Sequence, residues 1–216
     1  MNIAENTTTL LQEIPEHVQL VAVSKTKPNK QIMEAYQAGQ RVFGENKIQE
    51  MVAKYESLPK DIQWHMIGHV QSNKVKYMAP FVHLIHGVDS LKLLKEINKQ
   101  GAQHHRCIDC LLQLHIAQES SKFGFSEAEA LEALSFSQTL ENLKVVGLMG
   151  MATFTEDQDQ ISREFKRLKN FFDKFAPDFP QLQVLSMGMS GDYPLAIAQG
   201  SNMIRVGSKI FGVRNY

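Results

Sequence analysis

From residue 19 onward, short apolar runs alternate with longer stretches in which apolar residues recur every three or four positions. That alternation is expected when parallel strands are each followed by a crossover helix. The strand runs fall at residues 19–24, 41–44, 64–67, 84–87, 108–115, 144–148, 183–186 and 203–207. Helical periodicity covers 29–38, 47–55, 72–77, 90–100, 126–140, 158–175 and 193–199, with stops at Gly39, Gly101 and Gly200. In 158–175, Ile161, Phe165, Leu168 and Phe172 define one apolar stripe. Arg163, Lys166, Arg167 and Lys169 fall mostly off that stripe and read as a solvated face, not a nucleic-acid contact.

Eight strands with intervening helices predict an α/β chain folded as a single (β/α)8 TIM barrel over residues 1–216. Residues 1–18 are expected to form an N-terminal helical leader packed beside the barrel. An open doubly wound sheet shares much of this pattern. Against it, no Gly-x-Gly-x-x-Gly follows the first strand and no Gly-x-x-x-x-Gly-Lys-Ser/Thr occurs.

Composition then limits the partners. The 216 residues are 43% hydrophobic and 21% charged, with 23 Lys+Arg balancing 23 Asp+Glu. Such a balance supplies no long-range field to draw nucleic acid or an anionic membrane, so any phosphate recognition has to be local. No apolar run approaches the roughly 18 residues that span a bilayer, and the first residues lack the basic and apolar regions of a secretory signal. Cys107 and Cys110 are the only cysteines, too few for a disulfide framework, and a cytoplasmic protein is expected. Their Cys-x-x-Cys spacing resembles a zinc or redox pair. At the entry of a strand, however, residues three apart face opposite sides, no second pair completes a tetrahedral site, and no metal is expected.

In a parallel barrel the working groups stand at the C-terminal strand ends and in the loops that follow. That rule gathers Lys25, Asn46, His65, Ser190, Asp192, Arg205, Gly207 and Ser208 at one mouth. Lys25 follows the apolar run Leu20-Val21-Ala22-Val23, where desolvation favours the neutral amine that attacks an aldehyde. A lysine at a strand end is by itself more often a solvated surface group. Two loops change its weight. In Met189-Ser190-Gly191-Asp192-Tyr193, Ser190 reads as an N-cap and Gly191 lets backbone amides approach an anion. In Arg205-Val206-Gly207-Ser208, a glycine and a hydroxyl follow the eighth strand, where barrels frequently place a phosphate. Together the loops read as a phosphate cup.

These residues sit in ordered motifs: Ala22-Val23-Ser24-Lys25-Thr26-Lys27, Phe43-Gly44-Glu45-Asn46, Trp64-His65-Met66-Ile67-Gly68, Ser121-Lys122-Phe123-Gly124, Met187-Gly188-Met189-Ser190-Gly191-Asp192 and Arg205-Val206-Gly207-Ser208. From about Gln19 onward the chain resembles the YggS/PROSC family of pyridoxal phosphate homeostasis proteins, related in fold to the barrel domain of alanine racemase. The resemblance implies pyridoxal 5′-phosphate as cofactor, with Lys25 as its Schiff-base lysine. It also implies Asn46 beside the ring, Ser190, Gly191, Gly207 and Ser208 around the phosphate, and Arg205 towards the pyridine nitrogen. One departure follows Asn46, where many relatives carry Tyr and this chain has Lys47.

An arginine keeps its proton, so Arg205 would donate to that nitrogen and leave it unprotonated. The ring would then be a weaker electron sink. A racemase-type amino-acid enzyme is the alternative reading and needs two acid/base groups on opposite faces of the bound substrate. Alanine racemases take one of these from a separate β-domain, and with the last strand ending at Gly207 of 216 residues no such domain is expected. The sequence therefore points to a monomeric, non-catalytic carrier that buffers the cofactor or delivers it to apoenzymes dependent on it.

Overall fold

The computed structural model describes residues 2–118 and 123–212. Eight parallel strands close into a barrel in sequence order: β1 (Gln19–Val23), β2 (Val42–Glu45), β3 (Gln63–Met66), β4 (Leu84–Val88), β5 (Ile108–Gln113), β6 (Leu143–Met149), β7 (Val184–Met189) and β8 (Met203–Val206). Closure comes from β8 pairing with β1, in register from Gln19 opposite Met203 to Ala22 opposite Val206. The helices are α1 (Ile3–Glu13), α2 (Asn29–Gln37), α3 (Ile48–Ser57), α4 (Val75–Met78), α5 (Leu91–Gln103), α6 (Glu127–Ser137), α7 (Gln158–Phe175), α8 (Tyr193–Ala198) and α9 (Ser208–Phe211).

Strand alternation sorts the side chains into two cores. Val21, Val42, Leu84, Leu111, Met149 and Met203 come from six different strands and fill part of the barrel interior. Phe43 and Trp64 belong to the larger cluster, which the helices help to build. α6 begins with a capping box, in which Ser126 and Glu129 satisfy each other's backbone N–H groups, so this helix starts one residue inside the expected range.

The leader is α1, capped by the Asn2 side chain, which accepts from the Glu5 N–H at 3.1 Å. α1 packs against α2 and α9. Three expectations need correction. On α7 it is Phe171 that is buried and Phe172 that is half-buried, because the stripe drifts around a helix of 18 residues. Residues 72–77 form a 3₁₀ turn at Ser72–Lys74 that runs into α4. Ser190 does not cap α8: the cap position is Asp192, and the Ser190 hydroxyl is engaged elsewhere.

Candidate functional site

A cavity of about 570 Å³ opens at the C-terminal strand ends. Lys25, Asn46, Ser190, Gly191, Arg205, Gly207 and Ser208 all line it. Lys25 stands on the turn just after β1 and is half-buried, and Asn46 directly follows β2. Between them, Val23, Ile67, Met151 and Met189 give the cavity apolar walls. A second hollow, about 580 Å³, lies on the outer flank between α6 and α7 and holds none of these residues.

The two loops expected to form an anion cup are joined. Ser190 Oγ accepts from the Gly207 N–H at 3.1 Å, which ties the end of β7 to the end of β8. Its oxygen thus engaged, the Ser190 hydroxyl keeps its hydrogen to donate. Asp192 lines the cavity as well, and its Oδ1 accepts from the Met189 N–H at 2.5 Å. At Gly191 a side chain would meet nothing within 4 Å, so its backbone faces open space.

Arg205, on β8, is 4% exposed. It donates through Nη1 to the Ser186 carbonyl at 2.9 Å and the Ser186 hydroxyl at 2.6 Å, and through Nη2 to the Gly150 carbonyl at 3.0 Å. A guanidinium carries five N–H donors, so these bonds do not exhaust the group. Burial draws its pKa down to about 10 against the opposing field of Asp192, and it remains cationic at neutral pH.

Beneath Arg205 runs a polar column that the sequence reading missed. His65 Nδ1 lies 2.9 Å from His86 Nε2, and His86 Nδ1 lies 3.2 Å from Ser186 Oγ. Arg205 donates only, so the Ser186 hydroxyl accepts from it. The neutral His65 and His86 rings share one hydrogen between His65 Nδ1 and His86 Nε2, and the tautomer sets which of them donates. His65 was expected at the mouth. It is instead 1% exposed, one pleat below Ile67, which takes the place at the cavity.

Both rings are neutral in the folded protein. Burial, with His83 nearby, lowers the His65 pKa from 6.5 to about 3, and burial, with His65 and Arg205 close, takes His86 well below 6.5. The unfolded chain takes up protons at these rings below about pH 6.5, whereas the folded chain does not. The stability that these neutral rings contribute is therefore complete above that pH and is lost as pH falls towards about 3. Urea midpoints measured at neutral and at mildly acidic pH should show the decline, and identical midpoints would count against the neutral column.

The remaining expectations fall as follows. Lys47 is exposed and does not line the cavity, whereas Lys27 does, donating to the Phe211 carbonyl at 3.1 Å. Lys209 reaches the Tyr193 hydroxyl at 3.2 Å. Ser121 and Lys122 lie outside the described residues. Cys107 is exposed and Cys110 buried, and burial pushes both thiols up. Among the described residues, no group of three His, Cys, Asp or Glu side chains is placed to hold a metal ion. Also among them, no helix is long and apolar enough to cross a membrane.

Residues 1–215 match the family model "Alanine racemase, N-terminal domain". The chain belongs to this family. Within the family it groups with the pyridoxal phosphate homeostasis proteins. It is 41% identical to that of Vibrio alginolyticus over 207 residues, covering 94% of this chain and 89% of the relative. It is 37% identical to that of Escherichia coli K12 over 209 residues, covering 94% and 88%. Among solved structures, PipY of Synechococcus elongatus with PLP bound is 37% identical and superposes with a TM-score of 0.89 over 97% of this chain and all of that one. Alanine racemase of Clostridium difficile shares the family's barrel at a TM-score of 0.80 and 13% identity, with 56% of that enzyme covered, a likeness of fold alone.

Proposed function

We propose that the chain is a pyridoxal 5′-phosphate-binding protein that buffers or delivers the cofactor and does not catalyse a reaction with it. The observation that carries this reading is the convergence of Lys25 and the two joined loops on one cavity. Its volume lies in the range of small-ligand sites, with apolar walls and a few convergent polar groups.

The residues fit the cofactor. When bound, pyridoxal phosphate supplies an aldehyde, a phosphate dianion and a ring able to accept electrons. The Lys25 amine would hold the aldehyde carbon as a Schiff base, and Asn46 would stand beside the ring. The Ser190 hydroxyl and the backbone N–H groups of Gly191 and Ser208 would hold the phosphate, and Gly207, whose N–H already serves Ser190, would let the chain approach it closely. Arg205 would donate to the pyridine nitrogen, and as a permanent cation it offers that nitrogen no proton it could lose. Relatives named as homeostasis proteins, not as enzymes, support the same reading.

Every residue assigned here stands on one barrel, which supports a single-domain binding site. The free cysteines accord with a reducing, cytoplasmic setting. Cofactor-dependent apoenzymes are the recipients this role requires.

Incubating the loaded protein with amino acids in deuterated water tests the absence of catalysis. No exchange of the α-hydrogen is expected, and rapid exchange would overturn the carrier reading. The phosphate cup has its own test. Gly191→Asp should fold normally, since its side chain enters open space, but it sets a second carboxylate beside Asp192. The added repulsion should weaken cofactor binding by on the order of 10-fold or more, measured by equilibrium dialysis.

A further inference from the structure

The residues on either side of Lys25 are gripped by a buried ionic cluster. Glu45 ends β2 and is 0% exposed, and Lys54 of α3 is 5% exposed. Lys54 Nζ donates to Glu45 Oε1 at 2.7 Å, to Glu50 Oε1 at 2.7 Å and to the Ser24 carbonyl at 2.9 Å, which uses all three ammonium hydrogens. The Ser24 hydroxyl donates to the same Glu45 oxygen at 2.6 Å. On the other side, the Thr26 N–H donates to Glu50 Oε1 at 2.6 Å. The residue before Lys25 and the residue after it are therefore both bound to one cluster.

This arrangement carries costs that a purely stabilising cluster would avoid. A buried ion pair is often no more stable than apolar residues of similar volume. Glu45 Oε2 is buried with no partner among the described residues. Burial pushes the Glu45 carboxyl up in spite of the Lys54 charge beside it. Thr26 adopts φ of 63°, the left-handed region that β-branched residues rarely occupy. Strain of this kind persists where the surroundings over-determine it and collects at functional sites.

We propose that Glu45, Glu50 and Lys54 are positioning residues that hold the Lys25 turn so that its amine is aimed into the cavity. Glu45 leads directly into Asn46, so the same cluster sets the second wall of the site. The inference rests on the cofactor reading given above. Its effect is on capture: misplacing a reacting group by about 1 Å can cost on the order of 100-fold in rate.

Glu50 offers the cleanest test, because its side chain is 24% exposed and its loss leaves the core intact. Glu50→Ala, Glu50→Gln and Lys54→Met are compared with the native chain after circular dichroism has confirmed folding. Total bound pyridoxal phosphate is measured by dialysis, and the rate of covalent capture at Lys25 by borohydride trapping and mass spectrometry. Glu50→Ala should slow capture by about 10-fold to 100-fold while total binding changes little. Glu50→Gln, which keeps an oxygen for the Thr26 N–H, should restore most of the rate, and Lys54→Met should slow capture further. A folded Glu50→Ala that captures at the native rate overturns the proposal. So does a loss of binding and capture together that glutamine does not relieve, since that marks a merely structural role. If the native chain itself traps nothing at Lys25, the cofactor reading is the one that fails.

Discussion

Lys25→Ala should abolish covalent attachment of pyridoxal phosphate while leaving the barrel folded. The turn that carries Lys25 is held by its neighbours: Ser24 donates to Glu45, Lys54 donates to the Ser24 carbonyl, and Thr26 donates to Glu50. None of these bonds passes through the Lys25 side chain, so the turn should keep its shape after truncation, which circular dichroism checks. Binding should weaken but persist, because the proposed anion cup of Ser190, Gly207 and Ser208 does not depend on the amine. A charge-assisted phosphate contact contributes about 1.5–3 kcal/mol, enough for measurable non-covalent binding. Absorbance spectra of the variant should lose the Schiff-base band, and dialysis should still detect a bound fraction that free phosphate displaces.

Arg205→Leu should damage both the fold and the site. The guanidinium bridges Ser186 and Gly150 from inside the barrel, through three bonds of 2.6–3.0 Å. The Ser186 carbonyl keeps a second donor, the Gly150 N–H at 3.1 Å, and the Ser186 hydroxyl keeps His86. The Gly150 carbonyl loses its charged partner outright. One unpaired buried acceptor and the lost charge-assisted bonds together predict a loss of about 2–4 kcal/mol in urea unfolding. Cofactor affinity should fall with it, as the donor assigned to the pyridine nitrogen disappears. Arg205→Lys keeps the charge, yet a single ammonium does not reproduce a planar fork that spans two strands. It should recover part of the stability and little of the affinity. An Arg205→Leu protein with native stability and affinity would show that the bridge has neither role.

Much of the barrel was legible because apolar runs of strand length recur with amphipathic stretches between them, and a parallel barrel is a direct answer to that pattern. The rim residues followed from the same rule, since a strand end fixes which mouth a loop serves. Periodicity tells which face a residue takes and not what stands across the barrel from it. His86 and Ser186 meet across 100 positions of sequence, and nothing local to either announces the other. For the same reason His65 was assigned to the mouth: a shift of one pleat separates the interior column from the cavity wall.

Hydrogen-bonding side chains near turns were the other source of error. A serine three residues before a helix resembles a cap, but the geometry of β7 and β8 offered Ser190 a better donor in the Gly207 N–H. Glu45 and Lys54 were passed over because a charge on a helix or at a strand end usually reads as solvated. Only the three-dimensional arrangement shows that they are buried together around the turn of Lys25.

The role of Lys25 is tested most directly by reducing the loaded, yellow protein with borohydride and mapping the modified peptide. A phosphopyridoxyl adduct on the peptide containing Lys25 is the expected result. An unmodified Lys25 peptide, with the adduct carried by another lysine, would contradict the account.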